Sequence, residues 1–249
     1  MGTAQALCYL GASYRSEGDF SQAAELSGKG LALLRDVAHD GGIARALLFL
    51  GQVARDCRDY ERALSYIEES LSICRQSEDT SGAAESLLCL GDILRIRGDF
   101  DRAGDLLGEG LALYRENGQK SGVAATLLLF GQLQINRQDY ALAQRLLREG
   151  LVLSQEMGNL RQCIAFLERL VVVFHRRAKT REYACLVGAI DALRSAFAFT
   201  RSEKDILDYD KDTKAIRDRL GEAAFTGLKE IGQKMSLKEA VMYALNNDV

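Results

Sequence analysis

The stretch that decides the fold is GGIARALLFLGQVARDCRDYERALSYIEESLSICRQSEDT, residues 41–80, because it is one of four ungapped copies of the same pattern. Glycine recurs at Gly11, Gly51, Gly91 and Gly131, and Asp19, Asp59, Asp99 and Asp139 are each followed twelve residues later by Leu31, Leu71, Leu111 and Leu151. The period is 40 residues (51 − 11 = 40), and the copies span residues 2–40, 41–80, 81–120 and 121–160. Residues 161–200 keep the length but lose the marks, with Val171 in place of the glycine and Lys179 and Thr180 in place of Asp and an aromatic. They read as a degenerate fifth unit. Self-similarity at a period of tens of residues is the mark of a stacked array in which each unit buries its apolar face on its neighbours.

Each unit reads as a helical hairpin. In the second copy Ile43, Ala44, Leu47, Leu48, Leu50, Gly51 and Ala54 recur at three- and four-residue intervals, which predicts a helix A from about residue 42 to 57 with one buried face. Asp59 then caps a helix B that carries Ala63, Leu64, Ile67, Leu71 and Ile73 to about Gln76. Gly18 and Gly98 supply the left-handed residue that ends helix A, and stretches such as His39–Gly42 and Asn117–Lys120 read as loops closing each unit. A mid-helix glycine costs about 1 kcal/mol relative to alanine, so Gly11, Gly51, Gly91 and Gly131 imply close approach of helix B, whose Ala23, Ala63, Ala103 and Ala143 are correspondingly small.

Composition bounds the function. The 249 residues are 47% hydrophobic and 27% charged, as in ordinary globular proteins, and no apolar run approaches the ~20 residues of a membrane helix. The net charge of −3 argues against a nucleic-acid surface. Cys8, Cys57, Cys74, Cys89, Cys163 and Cys185 show no metal-ligand spacing, and four of them, Cys8, Cys74, Cys89 and Cys163, lie among apolar residues at helical spacing and read as core thiols. There is no phosphate-binding loop, and neither His39, read as a solvated loop residue, nor His175, read as partly buried, has the neighbours of a catalytic triad. The expectation is a non-enzymatic, cytoplasmic protein that uses no cofactor and no metal and contacts neither nucleic acid nor membrane.

These residues resemble the tetratricopeptide repeat. The family spacing of large residue, Leu, Gly, aromatic, then Ala, large residue and Ala is met by Leu47, Leu50, Gly51, Ala63, Ile67 and Ser70, and by Tyr14 at the aromatic place of the first copy. The chain departs from the pattern in having no proline, in Ala54, Leu94 and Gln134 at the aromatic place, and in a period longer than the usual ~34 residues. The segments LVGAIDALRSAF from Leu186 and DYDKDTKAIRDRLGEAAFTGLKEIGQKMSLKEAVMYAL from Asp208 resemble the end of the repeat region in bacterial multidomain signalling ATPases and LuxR-type transcriptional regulators, carried by Tyr209, Leu220, Gly221, Phe225, Gly232, Ser236, Glu239 and Tyr243.

The resemblance implies an all-α, right-handed superhelical solenoid of helical hairpins with a C-terminal helical cap over residues 201–249, in three helices of about 202–220, 222–231 and 237–246. Ser236 and Glu239 form a capping box for the last. Met1 stands at the start of a unit, so an effector domain such as an ATPase is expected upstream. In such a solenoid the A helices line a concave groove, which places Arg15, Arg45, Gln52, Arg55, Asp92, Arg95, Gln132 and Asn136 there as candidate partner-binding residues. Arg15, Arg55 and Arg95 form a ladder of planar cations suited to the carboxylates of a peptide or protein, and the opposing reading pairs them with Asp56, Asp92 or Asp99. Arg35, Arg75 and Arg115, near the ends of the B helices, are explained by the helix dipole. The functional expectation is a protein-interaction or sensor module of a bacterial regulator. A small-molecule effector sensor, with a pocket closed by the fifth unit and the tail, and an oligomerisation scaffold are the alternatives.

Overall fold

A single turn design, repeated every 20 residues, organises the chain. The computed structural model describes residues 2–200 and 203–246, with the side chains of 203–208 set aside. Residues 18, 38, 58, 78, 98, 118, 138, 158, 178 and 198 all have positive φ, between 49° at Ala38 and 86° at Gly18 and Gly98. The next residue donates its N–H to the carbonyl five residues back, as Asp19 to Tyr14 (2.9 Å), Asp59 to Ala54 (2.9 Å) and Asn159 to Ser154 (3.0 Å). This is the Schellman closure of one helix. That same residue then caps the next helix: Asp19, Asp59, Asp79, Asp99 and Asp139 each accept from a backbone N–H three residues on. Glycine takes the left-handed position at Gly18 and Gly98 without a Cβ penalty, whereas Arg58 and Glu78 bear it at a cost of about 1 kcal/mol each.

Two of the expected loops are shorter than the sequence suggests. His39 caps α3 (Asp40–Asp56), its Nδ1 accepting from Gly42 N at 2.8 Å, so Asp40, Gly41 and Gly42 form the first turn. In the second stretch only Lys120 is helical, opening α7 (Lys120–Asn136), while residues 117–119 remain the turn. Histidine offers the same acceptor as aspartate when Nδ1 is unprotonated.

The first unit, Met1–Gly122, holds α1 (Gly2–Glu17), α2 (Phe20–Asp36), α3 (Asp40–Asp56), α4 (Tyr60–Gln76), α5 (Thr80–Arg97) and α6 (Phe100–Glu116). Helices pair within hairpins, and α2 packs on α3 and α4 on α5. Ile67, Leu71, Leu87, Leu90 and Ile93 form the core between the second and third hairpins, and Leu34, Leu47 and Leu50 that between the first and second. A Cβ on Gly51 would strike the Ile67 side chain, and one on Gly91 would lie 2.7 Å from Leu107 Cγ. Helix B does approach at the mid-helix glycines. Its contact residue is Ile67 or Leu107 on top of the small Ala63 and Ala103, one turn earlier. Ser70 donates to the Ala44 carbonyl (2.8 Å), closing the next contact toward α3.

The second unit, Val123–Val249, holds most of α7 (Lys120–Asn136), then α8 (Tyr140–Glu156), α9 (Leu160–Arg176), α10 (Thr180–Ala196), α11 (Glu203–Leu220), α12 (Glu222–Gln233) and α13 (Leu237–Asn246). Helix α10 is the hub, packing on α9, α11, α12 and α13. It crosses α12 where Gly188 meets Lys229 and Gly232 meets Cys185, so closely that neither glycine has room for a Cβ. Asp191 then accepts from Tyr209 Oη (2.6 Å) and pairs with Lys229 Nζ (2.9 Å), tying α11 and α12 to α10. Cys185 is buried here as well, alongside Cys74, Cys89 and Cys163, while Cys8 is half-buried and Cys57 exposed.

The capping box of α13 is formed: Ser236 N donates to Glu239 Oε2 (2.8 Å) and Glu239 N to Ser236 Oγ (3.3 Å). The backbone N–H of Ser236, and then its hydroxyl, hold the Glu239 carboxyl below its ordinary pKa. A depressed folded-state pKa means that this bond stabilises α13 above the ordinary glutamate range and is lost as pH falls through the folded pKa. Ser236→Ala is expected to move the Glu239 pKa upward in an NMR titration, and an unmoved pKa would show the hydroxyl to be idle.

Candidate functional site

Within the first unit α1, α3 and α5 lie side by side, and their shared face gathers six of the candidate residues. The arginine ladder is built into a network. Arg15 Nε donates to Asp56 Oδ2 (2.7 Å) and Arg15 Nη1 to Gln52 Oε1 (3.0 Å). Arg55 Nη2 donates to Asp56 Oδ1 (2.9 Å), and its Nη1 reaches Asp92 Oδ2 at 3.4 Å. Arg95 Nη2 donates to the other Asp92 oxygen at 2.7 Å. The Gln52 amide continues the row, with Nε2 at 3.6 Å from the buried Cys89 Sγ. Burial works against the Arg55 charge, but the hydrogen bonds and attraction of Asp56 and Asp92 more than offset it, so its pKa is raised. Three cations and two carboxylates leave this strip one positive charge (3 − 2 = 1) and much of its bidentate capacity already in use.

The contacts obey a register that residue spacing alone conceals. Arg15–Gln52, Arg55–Asp92 and Gln52–Cys89 are all 37 residues apart, one period less one helical turn. The B helices carry a second register of 34, in which Arg35 pairs with Glu69 and Arg75 with Glu109, both at 2.6 Å. The helix dipole is thus one of two partners for Arg35 and Arg75. Both pairs are about half exposed, so each contributes no more than about 1 kcal/mol.

Next to the network lies a cavity of about 330 Å³ between α1 and α3. Ala12, Leu34, Ala46 and Phe49 make its apolar wall, with Tyr9, itself 68% exposed, at its edge. Arg45, Gln5, His39 and Asp79 supply its polar rim. The Arg15 guanidinium sits 5.8 Å from the Phe49 ring centroid, joining cavity and network. His39 is therefore both a helix cap and a cavity residue, which its surroundings in sequence do not reveal. Gln132 and Asn136 lie on α7 of the second unit, half-buried and exposed respectively.

His175 is half-buried, its Nε2 3.6 Å from Asp212 Oδ1 and its ring against Tyr183. Among the described residues no group of three His, Cys, Asp or Glu side chains is placed to hold a metal ion, and no helix is long and apolar enough to cross a membrane.

Residues 42–116, α3 to α6, match the tetratricopeptide repeat family. No curated protein matches the chain. Among solved structures, the apo form of RapI is 14% identical with a TM-score of 0.72, over 97% of this chain and 85% of that one. The Rap conjugation gene regulator of plasmid pLS20, solved with the Phr* peptide, is 13% identical with a TM-score of 0.59, over 96% and 72%. A signal transduction ATPase with numerous domains and a tetratricopeptide repeat sensor, from Pyrococcus horikoshii, is 15% identical with a TM-score of 0.63 over 92% of this chain, which spans only 38% of that protein.

Proposed function

We propose that this chain, an all-α stack of helical hairpins whose residues 42–116 match the tetratricopeptide repeat family, is the non-catalytic interaction or sensor part of a signalling regulator. Its partner is a peptide or protein segment held on the α1–α3–α5 face of the first unit. The observation that carries this reading is the apolar cavity bordered by Arg45 and flanked by the Arg15–Asp56–Arg55–Asp92–Arg95 strip. A cavity of this size suits one large apolar side chain, while a strip of fixed donors and acceptors suits a backbone or its polar side chains. Gln132 and Asn136, on α7 of the second unit, are proposed as partner-binding residues of that unit by itself. A bacterial cytoplasmic setting and an ATPase or other effector domain in the same polypeptide belong to the same proposal. The effector domain is suggested by the likeness to the Pyrococcus horikoshii ATPase with its repeat sensor, and the peptide partner by the likeness to the peptide-bound Rap regulator.

The test is selection of binders from a displayed random-peptide library on the full chain, followed by Ala12→Trp and Arg45→Glu. Ala12 and Arg45 are both exposed, so neither change disturbs the core. Ala12→Trp fills the cavity and Arg45→Glu inverts its rim. Each is expected to weaken selected peptides by about tenfold or more, equivalent to about 1.4 kcal/mol, with an unchanged thermal midpoint. Peptides that bind both variants as tightly as the parent would place the site elsewhere.

A further inference from the structure

A second cavity, of about 280 Å³, lies wholly within the second unit, where α9, α10 and α11 meet. Its floor is apolar: Val171, Val172, Val187 and Ile190. Its rim is charged, with Arg169 and Arg176 from α9 and Lys211 and Asp212 from α11. Glu168 also borders it, but that carboxylate is held by Arg194 Nη1 at 2.6 Å and its charge is answered there. Asp212 faces His175. Among the described residues Arg169, Arg176 and Lys211 have no hydrogen-bond or ion-pair partner, which distinguishes them from the paired arginines of the first unit. Arg176 sits in the last turn of α9, where the helix dipole favours a cation. Arg169, two turns earlier and half-buried, and Lys211, inside α11, have no such reason to be cationic.

We infer that this cavity binds a small organic anion, its apolar body against Val171, Val187 and Ile190 and its charge answered by Arg169, Arg176 and Lys211. Among the described residues, three cations against the one carboxylate not already neutralised leave a surplus of positive charge, which selects against neutral and cationic ligands (3 − 1 = 2). The volume stands at the lower end of ligand sites, which limits the ligand to a small molecule such as an aromatic or branched carboxylate or phosphate ester. The Tyr183 hydroxyl is shared with Thr213 at 3.1 Å and the Tyr209 hydroxyl is spent on Asp191, so the tyrosines serve as walls. Because α11 supplies part of the rim and is tied through Tyr209 to α10, occupancy would hold α11 against the last hairpin.

The experiment is fluorine NMR of the full chain with para-fluorobenzoate, para-fluorophenyl phosphate and neutral para-fluorobenzyl alcohol, with methyl NMR of the protein to locate the site. At least one anion is expected to bind with a Kd of about 1 mM or tighter and the alcohol at least about tenfold more weakly. The stronger anion identifies the acid group as carboxylate or phosphate. Methyl shifts are expected at Val171, Val187 and Ile190. Arg169→Gln with Lys211→Gln is expected to weaken the anion about tenfold while leaving the alcohol unchanged, and Lys211→Gln alone, at an exposed position, gives the same sense should the double variant fold poorly. No binding of either anion up to about 10 mM, equal binding of the alcohol, or shifts confined to Leu34 and Ala46 of the first unit would each overturn the inference. This outcome is independent of the peptide test, which reads the other cavity.

Discussion

Gly232→Ala is expected to lower the unfolding free energy by about 3 kcal/mol or more, the upper end of what overpacking costs. A Cβ at Gly232 would overlap the Cys185 carbonyl and stand 3.0 Å from Ala189 N; one at Gly188 would overlap the Lys229 carbonyl and stand 3.1 Å from Gln233 N. The obstacles are backbone atoms of a facing helix, which no rotamer change can move. Only separation of α10 from α12 relieves them, and that separation strains the Asp191 contacts to Tyr209 and Lys229 and unburies Phe225. Gly188→Ala is expected to act alike, and the pair to cost less than the sum, since one displacement relieves both clashes. Gly227 is the control on the same helix. It has open space around it, so Gly227→Ala is expected to be neutral or to gain up to about 1 kcal/mol from helix propensity. Urea denaturation followed by circular dichroism gives the stabilities, and limited proteolysis shows whether α11 to α13 become the first sites of cleavage. If Gly232→Ala tracks Gly227→Ala, the tight crossing is not what holds the tail.

Glycine at these two positions was legible, its meaning less so. Gly232 belongs to the tail segment and Gly188 to LVGAIDALRSAF, so the resemblance marks both without saying that they touch. The 40-residue period fixes hairpins and the Asp caps because both depend on neighbours within one turn of helix. A finer period of 20 was hidden, since the left-handed position is filled by glycine at Gly18, Gly98, Gly118 and Gly158 but by Ala, Arg, Glu or Gln elsewhere, and His39 caps without looking like a cap. The ion pairs were harder to see, because a pairing at 37 or 34 residues requires knowing how far one helix slides past the next. The two cavities arise where side chains from separate helices fail to fill space, which no pattern along the chain encodes.

Asp92→Ala is expected to destabilise the first unit by about 2 kcal/mol, more than any other single change in the arginine strip. Asp92 is 13% exposed and receives both Arg95, 12% exposed, at 2.7 Å and Arg55 at 3.4 Å. Removing one partner of a pair this sheltered leaves poorly solvated charge behind, with a cost between the 0–1 kcal/mol of a surface pair and the ~3–5 kcal/mol of a fully buried one. The Arg15–Asp56 pair, 26% and 23% exposed, is nearer the surface case, so Arg15→Ala is expected to cost about 1 kcal/mol or less. Asp92→Asn keeps the shape and an acceptor oxygen and should fall between parent and alanine variant. Denaturation of Asp92→Ala, Arg95→Ala and the double variant would give the coupling directly, expected at about 1–2 kcal/mol. The same variants separate structure from recognition. Losing Asp92 frees the forks of Arg55 and Arg95, so a partner carboxylate that docks on them should bind Asp92→Ala more tightly even as the fold weakens. If stability and affinity fall together, the strip orders α3 against α5 and the partner reads the cavity beside it. Charge reversal at Arg55 and Arg95 is the blunter tool, since it would set two more acids against Asp56 and Asp92 and confound binding with folding.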